Sequence, residues 1–150
     1  MDRRRQIRMS EAELAAFLDA QRTVTCATIG PQGRPHLVAL WYVPMGAHLD
    51  CWTYAASQKA RNLERDPRAT LLTEAGTTYQ ELRGVSLECD AELLRDPDQV
   101  LDIGVALAAR YRGASPTPDL RAALGQQAAK RVGIRFHPTR VSSWDHRKLG

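Results

Sequence analysis

The chain has 150 residues, of which 43% are hydrophobic and 25% are charged; this composition excludes a disordered chain and suffices for a single domain over residues 1–150. The formal net charge of +4 suits an anionic small-molecule partner. The arginines at residues 3–8 come without stacking aromatic residues or a recognition helix, so no nucleic-acid partner is expected. No apolar run is long enough for a membrane span or a signal peptide, which predicts a cytoplasmic protein without a membrane partner. Residues 1–9 are expected to form a disordered tail.

The first half of the chain contains one helix pattern followed by strand patterns. A capping-box sequence opens an amphipathic helix predicted over residues 10–21. Apolar and β-branched residues then predict strands over residues 23–29, 34–44 and 48–54, separated by two glycine-containing turns. A fourth strand is predicted over residues 69–74.

The second half of the chain supplies more strand and two helices. Alternating apolar residues predict a long strand or a bulged strand pair over residues 79–94. Proline-initiated helices are predicted over residues 97–111 and 118–127, and we expect them to form a flap over one end of the barrel. A final strand is predicted over residues 132–136. About six strands in hairpin order indicate an antiparallel barrel rather than a parallel sheet.

The segment between the third and fourth strands has the pattern of a helix that begins at an anion site. Ser57 is a good N-cap, the basic run after it favours helix, and Asp66-Pro67 ends the helix. Free backbone N–H groups and the helix dipole favour an anion at such a start, where Ser57 and Lys59 add a hydroxyl and an ammonium. Lys59 is the first choice for the contact and Arg61 the second. The alternative is a solvated, charged surface helix.

With its neighbours, this segment resembles the pyridoxamine 5′-phosphate oxidase-like split β-barrels and, among them, the flavin/deazaflavin-dependent oxidoreductases. The matching features are the opening helix, the strand and turn at residues 27–35, the Ser-x-Lys-x-Arg-Asn-Leu-x-Arg-Asp-Pro-Arg spacing from Ser57, residues 82–84 and the closing residues 143–149. The resemblance covers most of the chain. It implies a mainly β fold with α-helices: a six-stranded antiparallel split β-barrel, Greek-key and of the FMN-binding split-barrel type, flanked by helices. It also implies a homodimer with two cofactors, each in a groove between the subunits.

The resemblance implies a set of cofactor-binding residues as well. The residues implied beside the cofactor ring are Trp41, Tyr42, Val43 and Thr53. The residues implied around the cofactor phosphate are Ser57, Lys59, Arg61 and Asn62. For two further aromatic residues, a role at the cofactor site is one of two interpretations. Trp144 either covers the cofactor or anchors the C-terminal tail. Tyr79 reaches a partner's site or donates a proton, and the alternative is an exposed loop residue; no other catalytic residue is identified.

Within the family, the resemblance favours the deazaflavin coenzyme F420 over FMN. Gln58 stands where the pyridoxal-forming oxidases carry Arg, and their C-terminal substrate-phosphate motif is missing, whereas residues 59–68 and 144–149 look more like the F420 branch. The expected function is hydride transfer between F420 and a conjugated small-molecule acceptor. The alternatives are an FMN-dependent oxidase or reductase, and a carrier or sensor that binds cofactor without turnover.

The cysteines and histidines predict no metal site. Cys26, Cys51 and Cys89 lie in strand patterns without Cys-x-x-Cys spacing, so we expect buried free thiols. The histidines also lack metal-ligand spacing. The apolar run at residues 37–43 looks buried on both faces, which supports the homodimer implied by the resemblance.

Overall fold

A computed structural model describes residues 2–150, and all of its strands belong to one antiparallel sheet. The strands are β1 (Val24–Ile29), β2 (Pro35–Leu40), β3 (Val43–Pro44), β4 (Leu49–Tyr54), β5 (Arg68–Ala75), β6 (Arg83–Leu94) and β7 (Arg131–Asp145). The helices are α1 (Arg3–Ile7), α2 (Glu11–Ala20), α3 (Gln58–Arg65), α4 (Pro97–Arg112) and α5 (Pro118–Ala128), with short 3₁₀ turns at Tyr79–Glu81 and His146–Leu149. The seven strands are ordered β2-β1-β5-β6-β7-β4-β3 across the sheet.

The sheet curls into a barrel because its two edge strands are neighbours in the chain. β2 and β3 lie at opposite edges, yet only Trp41 and Tyr42 separate them, so the edges must approach each other. Tyr42 fixes this junction, since its side chain is fully buried and its hydroxyl is hydrogen-bonded to the carbonyl oxygens of Leu18 and Gln21. The predicted antiparallel split barrel is confirmed, with seven strands instead of six because this junction interrupts the predicted strand 34–44.

β7 is much longer than the predicted strand over residues 132–136, because it continues through Pro138. The register shifts between Glu88 and Cys89 of β6, which leaves Thr139 as an extra residue on β7. A bulge of this kind accommodates a proline, which has no N–H for the regular ladder. β7 therefore pairs with β4 through its first part and with β6 along most of its length.

The barrel interior is filled by alternate side chains of its strands, as expected for a sheet with one face in the core. The cysteines predicted to be buried free thiols are all buried and free: Cys26, Cys51 and Cys89. Burial raises the pKa of the Cys26 thiol and of the Cys89 thiol to about 12. These thiols are therefore protonated at neutral pH and act as small apolar side chains.

The two flap helices are α4 and α5. Helix α4 lies against the outer face of β4, and α5 packs on α4 and on β7. The sequence predicted these helices as a flap over one end of the barrel. Asp96 and Thr117 cap them, each accepting a hydrogen bond from a backbone N–H of the first turn. Trp52 of β4 packs directly on Gly104 of α4, since a Cβ atom added to Gly104 would lie 2.4 Å from the indole. This glycine lets the helix approach the strand closely.

The prediction of a disordered tail over residues 1–9 is wrong for the part that the structure describes; Met1 lies outside it. Arg3–Ile7 forms a helix, and Met9 is buried with its backbone N–H donating to the Ser143 hydroxyl. The tail is ordered by contacts with residues at the far end of the sequence, which local composition does not reveal.

Candidate cofactor-binding site

Two residues at the start of α3 and one from β4 form what we call the Lys59 cradle: Ser57, Lys59 and Thr53. Thr53 points inward from β4, and Ser57 caps α3 by accepting a hydrogen bond from the N–H of Ala60 at 3.2 Å. The ammonium of Lys59 donates to the Thr53 hydroxyl at 2.7 Å, and that hydroxyl donates to the Ser57 hydroxyl at 3.2 Å. Three of the eight side chains predicted around the cofactor phosphate and ring are thus linked by hydrogen bonds through Thr53.

The hydrogen-bond directions in the cradle leave several O–H and N–H groups without an acceptor. Thr53 accepts from Lys59 and donates to Ser57, so the Ser57 hydroxyl, which accepts twice, keeps its own hydrogen available. Two of the three N–H bonds of the Lys59 ammonium have no acceptor among residues 2–150. The first-turn N–H groups of Gln58 and Lys59 also lack a helical acceptor. The cradle therefore presents donors and needs an acceptor.

The charge of Lys59 is not neutralised within the described chain, where no carboxylate lies within ion-pair distance of its ammonium. Partial burial lowers the pKa of Lys59, and the nearby thiols of Cys26 and Cys51 oppose that shift only in part. A partly desolvated ammonium without a counter-charge is stabilised by an incoming anion. The alternative of a plain solvated helix does not account for this inward-facing lysine.

Asn62 was predicted beside the phosphate, but its side chain has no exposed surface. Its amide NH₂ donates to the Thr28 hydroxyl at 3.0 Å, and its carbonyl oxygen accepts from Gln58 at 2.7 Å. The structure thus places Asn62 under the cradle, where it ties α3 to β1. Arg61 lies on the opposite, exposed side of α3 and has no side-chain partner among the described residues.

The residues predicted beside the cofactor ring lie at the junction between the two edge strands. Trp41 is 50% exposed and stacks on Tyr111 of α4 at a centroid distance of 4.4 Å. Tyr42 is buried, its backbone N–H donates to the Tyr111 hydroxyl, and burial raises its pKa to about 12. Val43 is half-buried against α4. The side chains of Trp41 and Val43 therefore meet α4 and not the Lys59 cradle, and that of Tyr42 is held in the core.

Tyr79 and Trp144, the other two aromatic candidates, lie together at the end of β7. Tyr79 is 60% exposed, and its ring packs on His146 at 4.6 Å. Trp144 packs on Gly84, where an added Cβ would come within 2.6 Å of the indole. Trp144 and His146 also line a groove of about 1030 Å³ between α1, the start of α2 and β7, which we call the N-terminal groove.

Within one chain the Lys59 cradle and Trp144 are separated by the length of β7. Arg131, at one end of β7, pairs with Tyr54, which directly follows Thr53 of the cradle, and Trp144, at the other end, pairs with Gly84. They are 13 residues apart, so at about 3.3 Å per residue the path along the strand is roughly 43 Å. The structure unites Thr53, Ser57 and Lys59 but does not bring them to Trp144.

Sequence reasoning missed two parts of this arrangement. Thr28, which holds Asn62, gave no signal because a threonine in a strand pattern is ordinary. The arginines of the N-terminal groove, Arg4, Arg8 and Arg140, include two from the basic run at residues 3–8, which was interpreted as part of a disordered tail. The clustering of arginines in that run was the sequence signal that could have indicated the groove.

Two negative findings apply to residues 2–150. No set of three or more His, Cys, Asp or Glu side chains is grouped so that it could hold a metal ion. None of the helices in this range combines the length and the apolar character needed to cross a membrane.

Comparison with known proteins identifies the family. The family model described as pyridoxamine 5′-phosphate oxidase matches residues 10–145. Because this match spans most of the chain, the protein belongs to the pyridoxamine 5′-phosphate oxidase family, as its sequence motifs indicated. No curated protein gives a match.

Solved structures give a consistent result. A conserved hypothetical protein of Mycobacterium tuberculosis is 47% identical with a TM-score of 0.93, over 100% of this chain and 93% of that one. A protein described as an F420 reductase is 25% identical with a TM-score of 0.66, over 85% of this chain and 94% of the other. A FAD-binding protein of Mesorhizobium loti shares the fold at 22% identity, with a TM-score of 0.68 over 90% of this chain and 94% of that one.

Proposed function

We propose that the protein is a homodimeric oxidoreductase that binds coenzyme F420 and transfers a hydride between it and a conjugated small-molecule acceptor. The observation that carries the proposal is the Lys59 cradle, in which a partly buried ammonium without a counter-charge stands at the start of α3. Membership of the pyridoxamine 5′-phosphate oxidase family and the similarity to a protein described as an F420 reductase support a redox cofactor.

The donor set of the cradle fits a phosphate group. An ammonium, a serine hydroxyl and two backbone N–H groups converge at one helix start. A phosphate offers several charged acceptor oxygens to such donors, and hydrogen bonds to a charged group are the strong ones. F420 and FMN both carry a phosphate, so the cradle supports either cofactor and the choice between them rests on the sequence motifs and the F420 reductase similarity.

In this proposal the cofactor supplies the hydride, and the chain positions the cofactor relative to the acceptor. Lys59, Ser57 and the α3 backbone hold the phosphate, which fixes the cofactor ring relative to the acceptor; positioning of this kind lowers the barrier for transfer. The hydroxyl of Tyr79 is the candidate proton donor. A hydrogen bond from His146 Nδ1 to the Tyr79 carbonyl, at 2.7 Å, holds the turn that carries this hydroxyl.

We infer a dimer first from the separation of the candidate residues. Within one chain no described contact joins the Lys59 cradle to Trp144, because the two lie toward opposite ends of β7. A second subunit that brings its Trp144 end to the first subunit's cradle would complete a shared groove.

The outer face of the barrel supports the same inference. A row of paired residues crosses five strands without a charge: Ala39, Thr25, Leu72, Ser86 and Ser142. Leu72 in this row is 38% exposed in the single chain, and Leu37, two residues before Ala39 on the same face of β2, is 63% exposed. Exposed leucines beside an uncharged row of a sheet are typical of an interface. The run at residues 37–43, predicted to be buried on both faces, therefore has one face left to cover.

Fluorescence titration with oxidised F420 and with FMN tests the choice of cofactor. We expect saturable binding of F420 with a lower dissociation constant than that of FMN. Purified protein that carries bound FMN, or that binds FMN as tightly as F420, would overturn the F420 assignment and favour the FMN alternative.

A turnover assay separates the enzyme from a carrier or sensor. Reduced F420 is mixed with the protein and cyclohex-2-enone, with cyclohexanone as the unconjugated control, and its oxidation is followed by absorbance. The proposal expects faster oxidation with the conjugated ketone. If the protein binds reduced F420 but a panel of conjugated acceptors leaves the oxidation rate unchanged, a carrier or sensor is the correct function.

A further inference from the structure

A second pocket lies between the flap helices and the outer face of β4, away from the Lys59 cradle. Its volume is about 260 Å³, and its apolar wall includes Trp41, Trp52, Leu107 and Leu124. Trp41 has one ring face on Tyr111 and half of its surface exposed, so part of the indole remains available to a ligand. The volume suits a ligand of one or two rings, below the size of most cofactors.

The polar part of this pocket is cationic. Arg112, Arg131 and Gln127 line it, and no aspartate or glutamate does. Within residues 2–150 neither arginine forms an ion pair with a carboxylate. Two guanidinium groups without counter-charges beside an apolar wall create a site for an anion that also has an apolar body.

Arg131 is held in place before any ligand arrives. Its guanidinium lies 4.7 Å from the ring centroid of Trp52 and 4.4 Å from that of Tyr54, and one nitrogen donates to the carbonyl of Gln127 at 3.3 Å. Stacking fixes the plane of the group but leaves its other in-plane N–H bonds free. A planar carboxylate can accept two such bonds in parallel, which is the geometry that arginine favours.

This pocket and the cradle are on different faces of β4. Trp52 and Thr53 are consecutive residues of the strand, so their side chains point to opposite sides of the sheet. Trp52 faces the flap helices, whereas Thr53 contacts Lys59. A ligand in the pocket therefore does not use the phosphate site.

We propose that the pocket between the flap helices and β4 binds a small aromatic carboxylate. Its ring lies against Trp41 and Trp52, and its carboxylate is held by Arg131 with Arg112 alongside. This inference does not rest on the proposed redox function, since none of its polar contacts belongs to the Lys59 cradle.

Isothermal titration of the full chain with 2-naphthoate tests the proposal, with 2-naphthamide as the neutral probe of the same ring system. We expect 2-naphthoate to bind with a dissociation constant below about 1 mM and the amide to bind at least about tenfold more weakly. No heat of binding for 2-naphthoate up to several millimolar would overturn the proposal, and so would equal affinities for the two probes.

Variants locate the binding. Arg131→Gln should weaken 2-naphthoate binding at least about tenfold, and Arg112→Gln at least about threefold. Arg112 is exposed and has no side-chain partner in the described chain, so its replacement keeps the test valid if Arg131→Gln fails to fold. Arg121→Gln is the matched control, because this arginine pairs with Asp102 outside the pocket, and it should bind as the wild type does.

Lys59→Met distinguishes this proposal from the redox function. It should leave the affinity for 2-naphthoate unchanged. A loss of 2-naphthoate binding in Lys59→Met would mean that the probe occupies the cradle, and unchanged binding in both Arg131→Gln and Arg112→Gln would place the probe elsewhere. Either result overturns the aromatic carboxylate pocket without deciding whether F420 binds.

Discussion

Replacement of Lys59 by methionine is the most direct test of the cradle. Methionine keeps most of the aliphatic stem and removes the ammonium, which donates to Thr53 and has two further N–H bonds free. A charge-assisted hydrogen bond of this kind is worth about 1.5–3 kcal/mol, so the dissociation constant of F420 should rise by roughly ten- to a hundredfold.

Arg61→Met is the matched control on the same helix. Arg61 lies on the exposed side of α3 and contributes to the local field without touching the cradle. Its removal should weaken binding by less than about threefold. Fluorescence titration of wild type and both variants at fixed ionic strength gives the comparison. Equal effects of the two substitutions, or no effect of Lys59→Met, would refute the cradle as the phosphate site.

The stability of Lys59→Met checks the same reasoning independently of any ligand. Burial lowers the pKa of Lys59, so the folded chain holds this proton less tightly than the unfolded chain does. The charged lysine therefore costs stability below its folded pKa, and this cost disappears as the pH rises toward the unfolded value. Urea denaturation should show that the wild type gains stability relative to Lys59→Met as the pH is raised through that window. The opposite slope would contradict the burial of the ammonium.

Two further substitutions test the support of the site and the dimer. Asn62→Ala removes the buried hydrogen bond to Thr28 and the partly buried ones from Gln58 and Arg65, and it should lower the free energy of unfolding by about 1–3 kcal/mol, measured in urea; an unchanged value would show that Asn62 does not tie α3 to β1. Leu72→Asp puts a charge into the uncharged row and should convert a dimer into a monomer by light scattering, whereas Gln32→Asp, in the exposed turn between β1 and β2, should not. A wild-type monomer at micromolar concentration, or a Leu72→Asp dimer, would count against the interface.

The starts of α2, α3 and α4 were predictable because their signals are local. Ser10, Ser57 and Asp96 each cap a helix with their own side chain, and the residues that define a cap lie within one turn of it. The strand ends were less predictable. Pro138 suggested the end of the last strand, but a bulge opposite β6 accommodates it, and that bulge depends on the register of a distant strand.

The cradle was predicted in part because some of its signals are also local in sequence. Ser57 and Lys59 are close in sequence, so a helix pattern could bring them together, and the family resemblance added Thr53. The resemblance also put Asn62 beside the phosphate, but it could not show that Asn62 is covered by β1 while Lys59 is only half-buried. Burial depends on tertiary packing, which the sequence pattern of one helix does not contain.

The separation of the cradle from Trp144 along β7 has a genetic consequence if the groove is shared between subunits. A two-fold dimer assembled from one Lys59→Met chain and one Trp144→Ala chain would contain one groove with both defects and one groove with neither. Such a mixed dimer should recover up to half of the wild-type sites although each parent homodimer is impaired at both. Two inactive alleles expressed together would then complement each other. If Lys59 and Trp144 of the same subunit formed one site, every site in the mixed dimer would be defective and no complementation would occur.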